Sequence, residues 1–254
     1  MKIHKPSSTQ IIGLRLLWKE AFGDTDNFLD CFFNFAFHVN RCRCVTIDND
    51  VVAMLYWFDC QLESKTIAYI YAVATKKDYQ KKGLCRALLE HTHSQLKSLG
   101  YAGAILVPGS DKLFQFYKKM GYETCSEICE FEATANSANI MVRHVDKKEY
   151  GMLRRKMLPF NSVIQEKENL DFLECQADFI AGNDFLLAFS KESSKDSLHV
   201  IEFLGNSKLA SSILYKLGFS KGTFRGPGKG IPFAMYHNLT KENLIPNYFG
   251  LAFD

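Results

Sequence analysis

Hydrophobic residues near the start of the chain recur at helical spacing. Between residues 8 and 22, Ile11, Leu14 and Trp18 lie three or four positions apart, which places their side chains on one face of a helix. The strongly aromatic residues 28–37 are predicted to form a second helix. Residues 44–47, 51–58 and 65–74 have the apolar character of strands, and the turn-forming residues 48–50 join the first two.

The most informative segment follows the strand at residues 65–74. A basic turn that contains one glycine interrupts the apolar pattern there, and it consists of Gln80, Lys81, Lys82, Gly83, Leu84, Cys85 and Arg86. Beyond it, apolar residues recur at helical spacing up to Leu99, and Gly100 supplies a stop. Glycine lets the main chain approach an anion, and the first free amides of a helix carry the positive end of its dipole. This turn therefore predicts a phosphate site.

A second strand and a second helix complete this pattern. Residues 102–107 form the strand, and Ser110 is a plausible N-cap for a helix with Tyr117 on its apolar face. Gly121 ends this helix. The predicted order is thus strand, phosphate turn, helix, strand, helix.

Two motifs in this region resemble those of the GCN5-related N-acetyltransferase (GNAT) family. Residues 71–89 are similar to its acetyl-CoA signature, in which the turn reads Arg/Gln-x-x-Gly-x-Gly/Ala. Residues 106–122 are similar to its later motif, in which a Phe-Tyr pair precedes a glycine and an aromatic residue. Both stand in the family's order within about fifty residues, which is more specific than either alone. Cys85 departs from the family's glycine or alanine, and Lys77 replaces a frequent proline.

The resemblance implies an α/β (α+β) fold with a mixed central sheet flanked by helices, and acetyl-CoA as co-substrate. It also implies roles for individual residues. Main-chain groups of Val73, Ala74 and Thr75 would contact the pantetheine arm and the thioester carbonyl, and the turn Gln80, Lys81, Lys82, Gly83, Leu84, Cys85 and Arg86 would hold the diphosphate. Tyr117 is the expected general acid, because a phenol keeps its proton at neutral pH.

The general base is less clearly indicated by the sequence. Asp59, Glu63 and Tyr71 lie on or beside strands that flank the cleft in this family. Asp254 is a further candidate, because the enhanced-intracellular-survival type of multi-lobed acetyltransferase uses its terminal carboxylate in the active site. We predict that Tyr117 and Asp254 are the catalytic residues.

The second half of the chain repeats parts of the first. Residues 140–157 parallel the opening strand and helix, and residues 198–219 parallel a later strand, a helix and the Gly121-Tyr122 end. No phosphate turn occurs in this copy, whose strands at 184–190 and 198–204 are joined as a hairpin. We therefore predict an acetyl-CoA-binding GNAT domain at 1–138 and a degenerate GNAT-like lobe at 139–254 that contributes to the acceptor cleft. Residues 226–230 are predicted to be a hairpin loop, not a nucleotide loop.

Composition and charge exclude several other classes of protein. The net charge of +3 is dispersed except around the turn, so no nucleic-acid partner is expected. No apolar run is long enough to span a bilayer and the N-terminus does not resemble a signal peptide, so we expect a cytoplasmic enzyme without a membrane partner. Cys42 and Cys44 lack further ligands at metal spacing, and no metal site is predicted.

Two functions from different classes remain open at this stage. The first is an acyltransferase that moves an acetyl group from acetyl-CoA to a primary amine of a small molecule or peptide. The second is a non-catalytic acyl-CoA-binding sensor or regulator that kept the cofactor site and lost the acceptor site. Tyr117 together with an accessible base distinguishes the two.

Overall fold

The chain divides into two compact units. A computed structural model describes residues 2–137, 139–242 and 244–253. The first unit comprises Met1–Glu123 and Met235–Leu244, and the second comprises Thr124–Ala234 and Ile245–Asp254. Each unit contains a mixed β-sheet with helices packed against it.

The first unit begins with helices and an antiparallel sheet. Its elements are β1 (Lys2–His4), α1 (Ile11–Phe22), α2 (Asp26–Cys31), β2 (Cys42–Ile47), β3 (Asp50–Leu62), β4 (Lys65–Thr75), α3 (Leu84–Ser98), β5 (Gly103–Leu106) and α4 (Asp111–Lys118). Strands β1 to β4 pair in order as antiparallel neighbours, and β5 pairs with β4 in parallel. The helices and strands predicted from the sequence for this region are therefore confirmed, apart from the helix predicted at 28–37.

Local sequence explains how the aromatic segment folds. Thr25 caps α2 by accepting a hydrogen bond from the amide of Phe28, at 3.2 Å. Beyond α2 the chain makes a π-helical turn at Phe32–Ala36, so the segment predicted as one helix has two parts. Phe32 is buried, and its ring contacts that of Trp18 with centroids 4.6 Å apart.

The core of the first unit positions α3. Leu88, Leu89 and Leu96 are fully buried and pack in one cluster with Ala68 and Ile70 of β4. Each buried leucine contributes about 1.5–3 kcal/mol relative to an exposed one. This cluster therefore holds α3, and the turn that precedes it, against β4.

The second unit repeats this construction. Its elements are β6 (Glu123–Thr134), β7 (Arg143–His144), α5 (Lys147–Met157), α6 (Glu168–Gln176), β8 (Ala177–Ala181), β9 (Phe185–Ser190), β10 (Ser197–Gly205), α7 (Ala210–Leu217) and β11 (Lys221–Pro227). The last strand, β12 (Ile231–Asn238), begins in this unit, and from Met235 onward it belongs to the first. Strands β7 to β10 pair in order as antiparallel neighbours, and β11 pairs with β10 in parallel. The predicted hairpin between β9 and β10 is confirmed.

The unit β10–α7–β11 corresponds to β4–α3–β5. In both cases a helix connects two parallel, adjacent strands, and the first strand carries a β-bulge, which lies at Ile201 in β10. The sequence predicted instead that residues 198–219 correspond to a later strand and helix of the first half, and this prediction was wrong. In the second unit β11 fills the space beside the bulge, because Arg225 Nε donates to the carbonyl of Ile201 at 3.0 Å and Gly226 packs against the carbonyl of Phe203.

Each unit contains a strand that the predicted boundary at 138 had placed with the other. Residues 235–238 of β12 pair with β5, and β6 pairs with β11, both antiparallel. The compact units therefore differ from the predicted domains 1–138 and 139–254: the boundary falls within β6, and residues 235–244 return to the first unit. In the order of strands, β6 lies between β11 and β12, so these two strands do not pair with each other. The prediction of a hairpin loop at 226–230 was therefore wrong.

None of the helices in the described part of the chain combines the length and the hydropathy that crossing a bilayer requires.

Candidate active site

Strands β4 and β5 separate before either ends. Their parallel register runs from Ile67 opposite Gly103 to Tyr69 opposite Ile105, and β5 ends at Leu106 while β4 continues to Thr75. On its other edge β4 remains paired with β3 as far as Thr75. The last residues of β4 thus have backbone groups on one edge that β5 does not use.

A β-bulge lies within this separated part of β4. Ala72 and Val73 together oppose the single residue Leu55 of β3, and Ala72 has φ of +50°. A bulge turns the backbone groups of the strand locally, and bulges are common beside active sites. Val73, Ala74 and Thr75, predicted from the family to contact the pantetheine arm, are the bulge and the two residues that follow it.

The basic turn has the geometry of an anion site. Gly83 has φ of +81° and is the N-cap of α3, and the first hydrogen bond of the helix runs from the amide of Ala87 to the carbonyl of Gly83, at 3.0 Å. The amides between them therefore precede the helical ladder. A side chain built at Gly83 would meet no protein atom within 4 Å, so this surface is open.

The charged side chains of the turn are at the surface. Lys81, Lys82 and Arg86 are exposed, and Lys82 Nζ lies 5.0 Å above the ring of Tyr79. Leu84, by contrast, is buried in the core of the first unit and anchors the start of α3. Gln80 Nε2 donates to the carbonyl of Thr75 at 3.2 Å, which ties the turn to the end of β4.

Tyr117 and Cys85 lie close to each other. Tyr117 is only 7% exposed, and its ring packs on Tyr122 with centroids 5.7 Å apart. Burial raises the pKa of Tyr117, with a smaller contribution from the nearby Cys85 thiol. Burial likewise raises the pKa of Cys85 to about 11. The described residues offer the Tyr117 hydroxyl no hydrogen-bond partner, so it is available to a ligand.

The four candidate bases have different surroundings. Asp59 accepts a hydrogen bond from the Tyr101 hydroxyl at 2.6 Å and pairs with Arg41 at 2.9 Å. Glu63 lies in the turn between β3 and β4, which is about 30 Å along β4 from Thr75 by strand geometry. Tyr71 packs among aromatic rings, including that of Phe58 at 5.6 Å. Asp254 lies outside the described residues.

A pair of stacked histidines beside Tyr122, in which His93 is buried and His237 half-buried, was not expected from the sequence. The His93 ring shares a hydrogen bond with the Tyr122 hydroxyl at 2.7 Å, and it stacks on the ring of His237 with centroids 4.5 Å apart. Burial, followed by the neighbouring His237, lowers the pKa of His93 to about 3. The sequence does not indicate this pair, because His237 is brought next to His93 only by the pairing of β12 with β5. No group of three or more metal-binding side chains occurs among the described residues.

Comparison with known proteins identifies the first unit and the fold. Residues 2–125 match the family model described as an acetyltransferase (GNAT) domain. No curated protein sequence matches the chain significantly.

Several solved structures share the fold. A GCN5-related N-acetyltransferase from Anabaena variabilis has a TM-score of 0.74 at 16% identity, over 94% of this chain and 73% of that one. A probable N-acyltransferase of unknown function from Enterococcus faecalis has a TM-score of 0.73 at 15% identity, with coverages of 94% and 72%. Eis1 from Mycobacterium abscessus has a TM-score of 0.68 at 9% identity, with coverages of 94% and 74%.

At these identities the structures establish the fold, and the family model identifies the domain. The chain therefore carries, in residues 2–125, an acetyltransferase domain of the GCN5-related N-acetyltransferase family.

Proposed function

We propose that this protein transfers the acetyl group of acetyl-CoA to a primary amine of a small molecule or peptide. The observation that carries this proposal is the separation of β4 from β5 beside the open turn at Gly83. A thioester arm needs a slot with unused backbone groups, and a diphosphate needs free amides. Both features occur within one stretch of chain, and they join at the hydrogen bond between Gln80 and Thr75.

The turn would bind the diphosphate. The main-chain amides from Lys81 to Arg86 lie before the first helical hydrogen bond, and the dipole of the 15-residue α3 favours negative charge at that end. The amide of Gln80 donates to the carbonyl of Lys77 at 3.3 Å, so Gln80 would contribute through its side chain. The exposed Lys81, Lys82 and Arg86 add positive charge that attracts the polyanionic coenzyme. This arrangement accounts for binding and does not by itself require catalysis.

The bulge would orient the reacting carbonyl. Backbone groups of Val73, Ala74 and Thr75 are turned by the bulge at the edge that β5 leaves open. A donor aimed at the developing oxyanion is worth about 3 kcal/mol in acyl transfer. The backbone therefore contributes to the rate without a charged side chain.

Tyr117 would donate a hydrogen bond to the departing thiolate. Its raised pKa keeps the phenol protonated, and the same burial makes it a weak acid. Burial raises the pKa of the neighbouring Cys85 thiol as well, to about 11. A thiol that leaves in equally apolar surroundings would also have a raised pKa. Its pKa would then lie closer to that of the Tyr117 phenol, which favours transfer of the proton to the thiolate.

A base is also needed, because an alkylamine with a pKa near 10.4 is neutral only about once in several thousand molecules at pH 7. Of the candidates, Asp59 already serves an ion pair and Glu63 lies at the far end of β4. We assign this role to Asp254, on the basis of the family resemblance. The preceding Phe253 is buried against Phe172 in the second unit, with ring centroids 5.0 Å apart.

The alternative function, an acyl-CoA sensor, is favoured by the burial of Tyr117. A single assay decides between them: release of free thiol from acetyl-CoA, measured with a panel of primary amines. Wild type is compared with Tyr117→Phe, with a variant that ends at Phe253, and with the exposed control Tyr215→Phe.

We expect amine-dependent thiol release by wild type and by Tyr215→Phe. Loss of a general acid lowers kcat by about 10²-fold or more, so Tyr117→Phe should be slow while its acetyl-CoA affinity, measured by calorimetry, is unchanged. The variant that ends at Phe253 should behave in the same way. Tight binding of acetyl-CoA without turnover on any amine would support the sensor instead.

A further inference from the structure

A second cavity in the first unit lies on the flank of α3. It has a volume of about 550 Å³ and is lined by His4, Lys5, Asn40, Arg43, His91, Gln95 and Leu99. The lining contains no carboxylate among the described residues, whereas it contains two permanent cations and two imidazoles. A cavity with this composition attracts negative charge.

Arg43 is the unusual member of this lining. Only 5% of this residue is exposed, yet no described carboxylate forms an ion pair with it. Its Nε donates to Gln95 Oε1 at 2.5 Å, and its Nη1 donates to the carbonyls of Asn40, at 3.0 Å, and Cys42. The second terminal nitrogen, Nη2, has no such partner among the described residues. Two N–H groups of the guanidinium therefore remain available to a ligand.

A buried guanidinium without a counter-ion is costly. The ring of Trp57, whose centroid lies 5.1 Å from the guanidinium carbon, offsets part of that cost. The three hydrogen bonds to neutral oxygens offset a further part, and an anion bound in the cavity would supply a counter-ion. Lys5 lines the same cavity. Its Nζ donates to Asn40 Oδ1 at 3.0 Å and forms no ion pair with a described residue.

We propose that this cavity is a second phosphate site, which binds the phosphate group of a small phosphomonoester or free phosphate. The two N–H groups on Arg43 Nη2 can donate charge-assisted hydrogen bonds to phosphate oxygens. Lys5 supplies positive charge, and the ring of the exposed His91 and the amide of Gln95 supply further N–H donors. The volume exceeds that of a phosphate alone and accommodates the carbon skeleton to which it is attached.

This site is separate from the turn at Gly83. His91 and Gln95 are seven and eleven residues beyond Leu84, the first residue of α3, which places them about 10 and 16 Å further along the helix. The cavity also uses β1 and β2, neither of which contributes to the turn. The two sites are therefore distinguishable by mutation.

Calorimetric titration of the full-length protein with inorganic phosphate and with glycerol 3-phosphate tests this proposal, at constant ionic strength set with chloride. The variants are Lys5→Gln and His91→Gln in the cavity, Lys82→Gln in the turn, and Lys195→Gln at an exposed position of the second unit. Arg43→Gln is included, and circular dichroism establishes whether this buried variant folds. Because Lys5 and His91 are at the surface, the test does not depend on Arg43→Gln.

We expect saturable binding that Lys5→Gln and His91→Gln each weaken by about tenfold, the effect of one charge-assisted hydrogen bond. Lys82→Gln and Lys195→Gln should leave this binding intact. Tighter binding of glycerol 3-phosphate than of phosphate would identify the esters as ligands, and equal affinity would identify the phosphate group itself. Absence of saturable binding, or binding lost in Lys82→Gln and retained in Lys5→Gln, overturns the proposal.

Discussion

Gly83 shows how one residue separates folding from binding. Its φ of +81° lies in the left-handed region, and no protein atom would contact a methyl group added there. Gly83→Ala should therefore cost only about 1–2 kcal/mol of stability, from backbone strain. The added methyl group would occupy the space through which a diphosphate approaches the amides, so we expect acetyl-CoA binding to weaken by roughly 10- to 100-fold. Calorimetric titration measures the affinity and urea unfolding the stability.

Gly100 provides the matched control for this prediction. It follows the other end of α3 with φ of +84° and equally open surroundings. Gly100→Ala should show the same loss of stability and unchanged affinity for acetyl-CoA. Equal affinities for the coenzyme in both variants would remove the turn from the binding site.

His93 makes the stability of the first unit depend on pH. Its pKa is about 3 in the folded protein, lowered by burial and then by His237, and about 6.5 when unfolded. Below pH 6.5 the unfolded state therefore binds a proton that the folded state does not, and stability falls as pH decreases towards 3. Between pH 7 and pH 5 this single group should cost about 2 kcal/mol. Urea unfolding at the two pH values measures the loss.

His93→Gln should reduce that loss by about 2 kcal/mol, because glutamine does not titrate. The exposed His199→Gln should leave the pH dependence of wild type unchanged. A His93→Gln protein that loses stability as steeply as wild type would show that His93 is protonated in the folded state.

At the scale of the element, strand β10 carries a buried charge that joins it to α5. Glu202 is 1% exposed and accepts hydrogen bonds from Arg154 Nε and Nη2, at 2.6 and 2.9 Å. The hydroxyls of Tyr150 and Tyr248 donate to the same carboxylate, at 2.9 and 3.1 Å. This network connects α5, β10 and the final segment of the second unit.

Removing the charge of Glu202 should be far more costly than removing an exposed one. Glu202→Gln leaves the Arg154 guanidinium buried without a counter-ion, and we expect a loss of about 3–5 kcal/mol. Glu166→Gln breaks the exposed pair with Arg155, at 2.7 Å, and should cost less than about 1 kcal/mol. Urea unfolding followed by circular dichroism measures both, and similar losses in the two variants would contradict this account of the network.

The sequence predicts elements where the determining interactions are local. The turn at Gly83 and the following α3 are visible in the residue pattern, because glycine and helical spacing encode them directly. The bulge in β4 is not visible, because Ala72 adopts a positive φ without being glycine and the register with Leu55 depends on β3. The ion pair of Arg154 with Glu202 is not visible in the sequence either, because 48 residues separate the two partners.

At the scale of the whole chain, the assignment of strands to units was the feature least accessible to sequence. The residue pattern does not identify the partners of β6 and β12. The partner of β5 is contributed from more than 120 residues further along, at Met235–Asn238. The boundary at 138 was predicted because the second half repeats parts of the first, and sequential strands are usually neighbours. In both units, however, one strand pairs with a strand that is distant in sequence. We call this arrangement the exchange of strands.

The exchange predicts that residues 1–138 do not fold alone. That fragment lacks Met235 and Leu239, which are buried in the core of the first unit, and it leaves the edge of β5 without its antiparallel partner. We expect poorly dispersed amide resonances and no cooperative unfolding. Joining residues 231–244 to the fragment through a flexible linker restores the missing strand and should restore both properties, together with acetyl-CoA binding. Cooperative unfolding of the fragment alone would show that β12 is dispensable to the first unit.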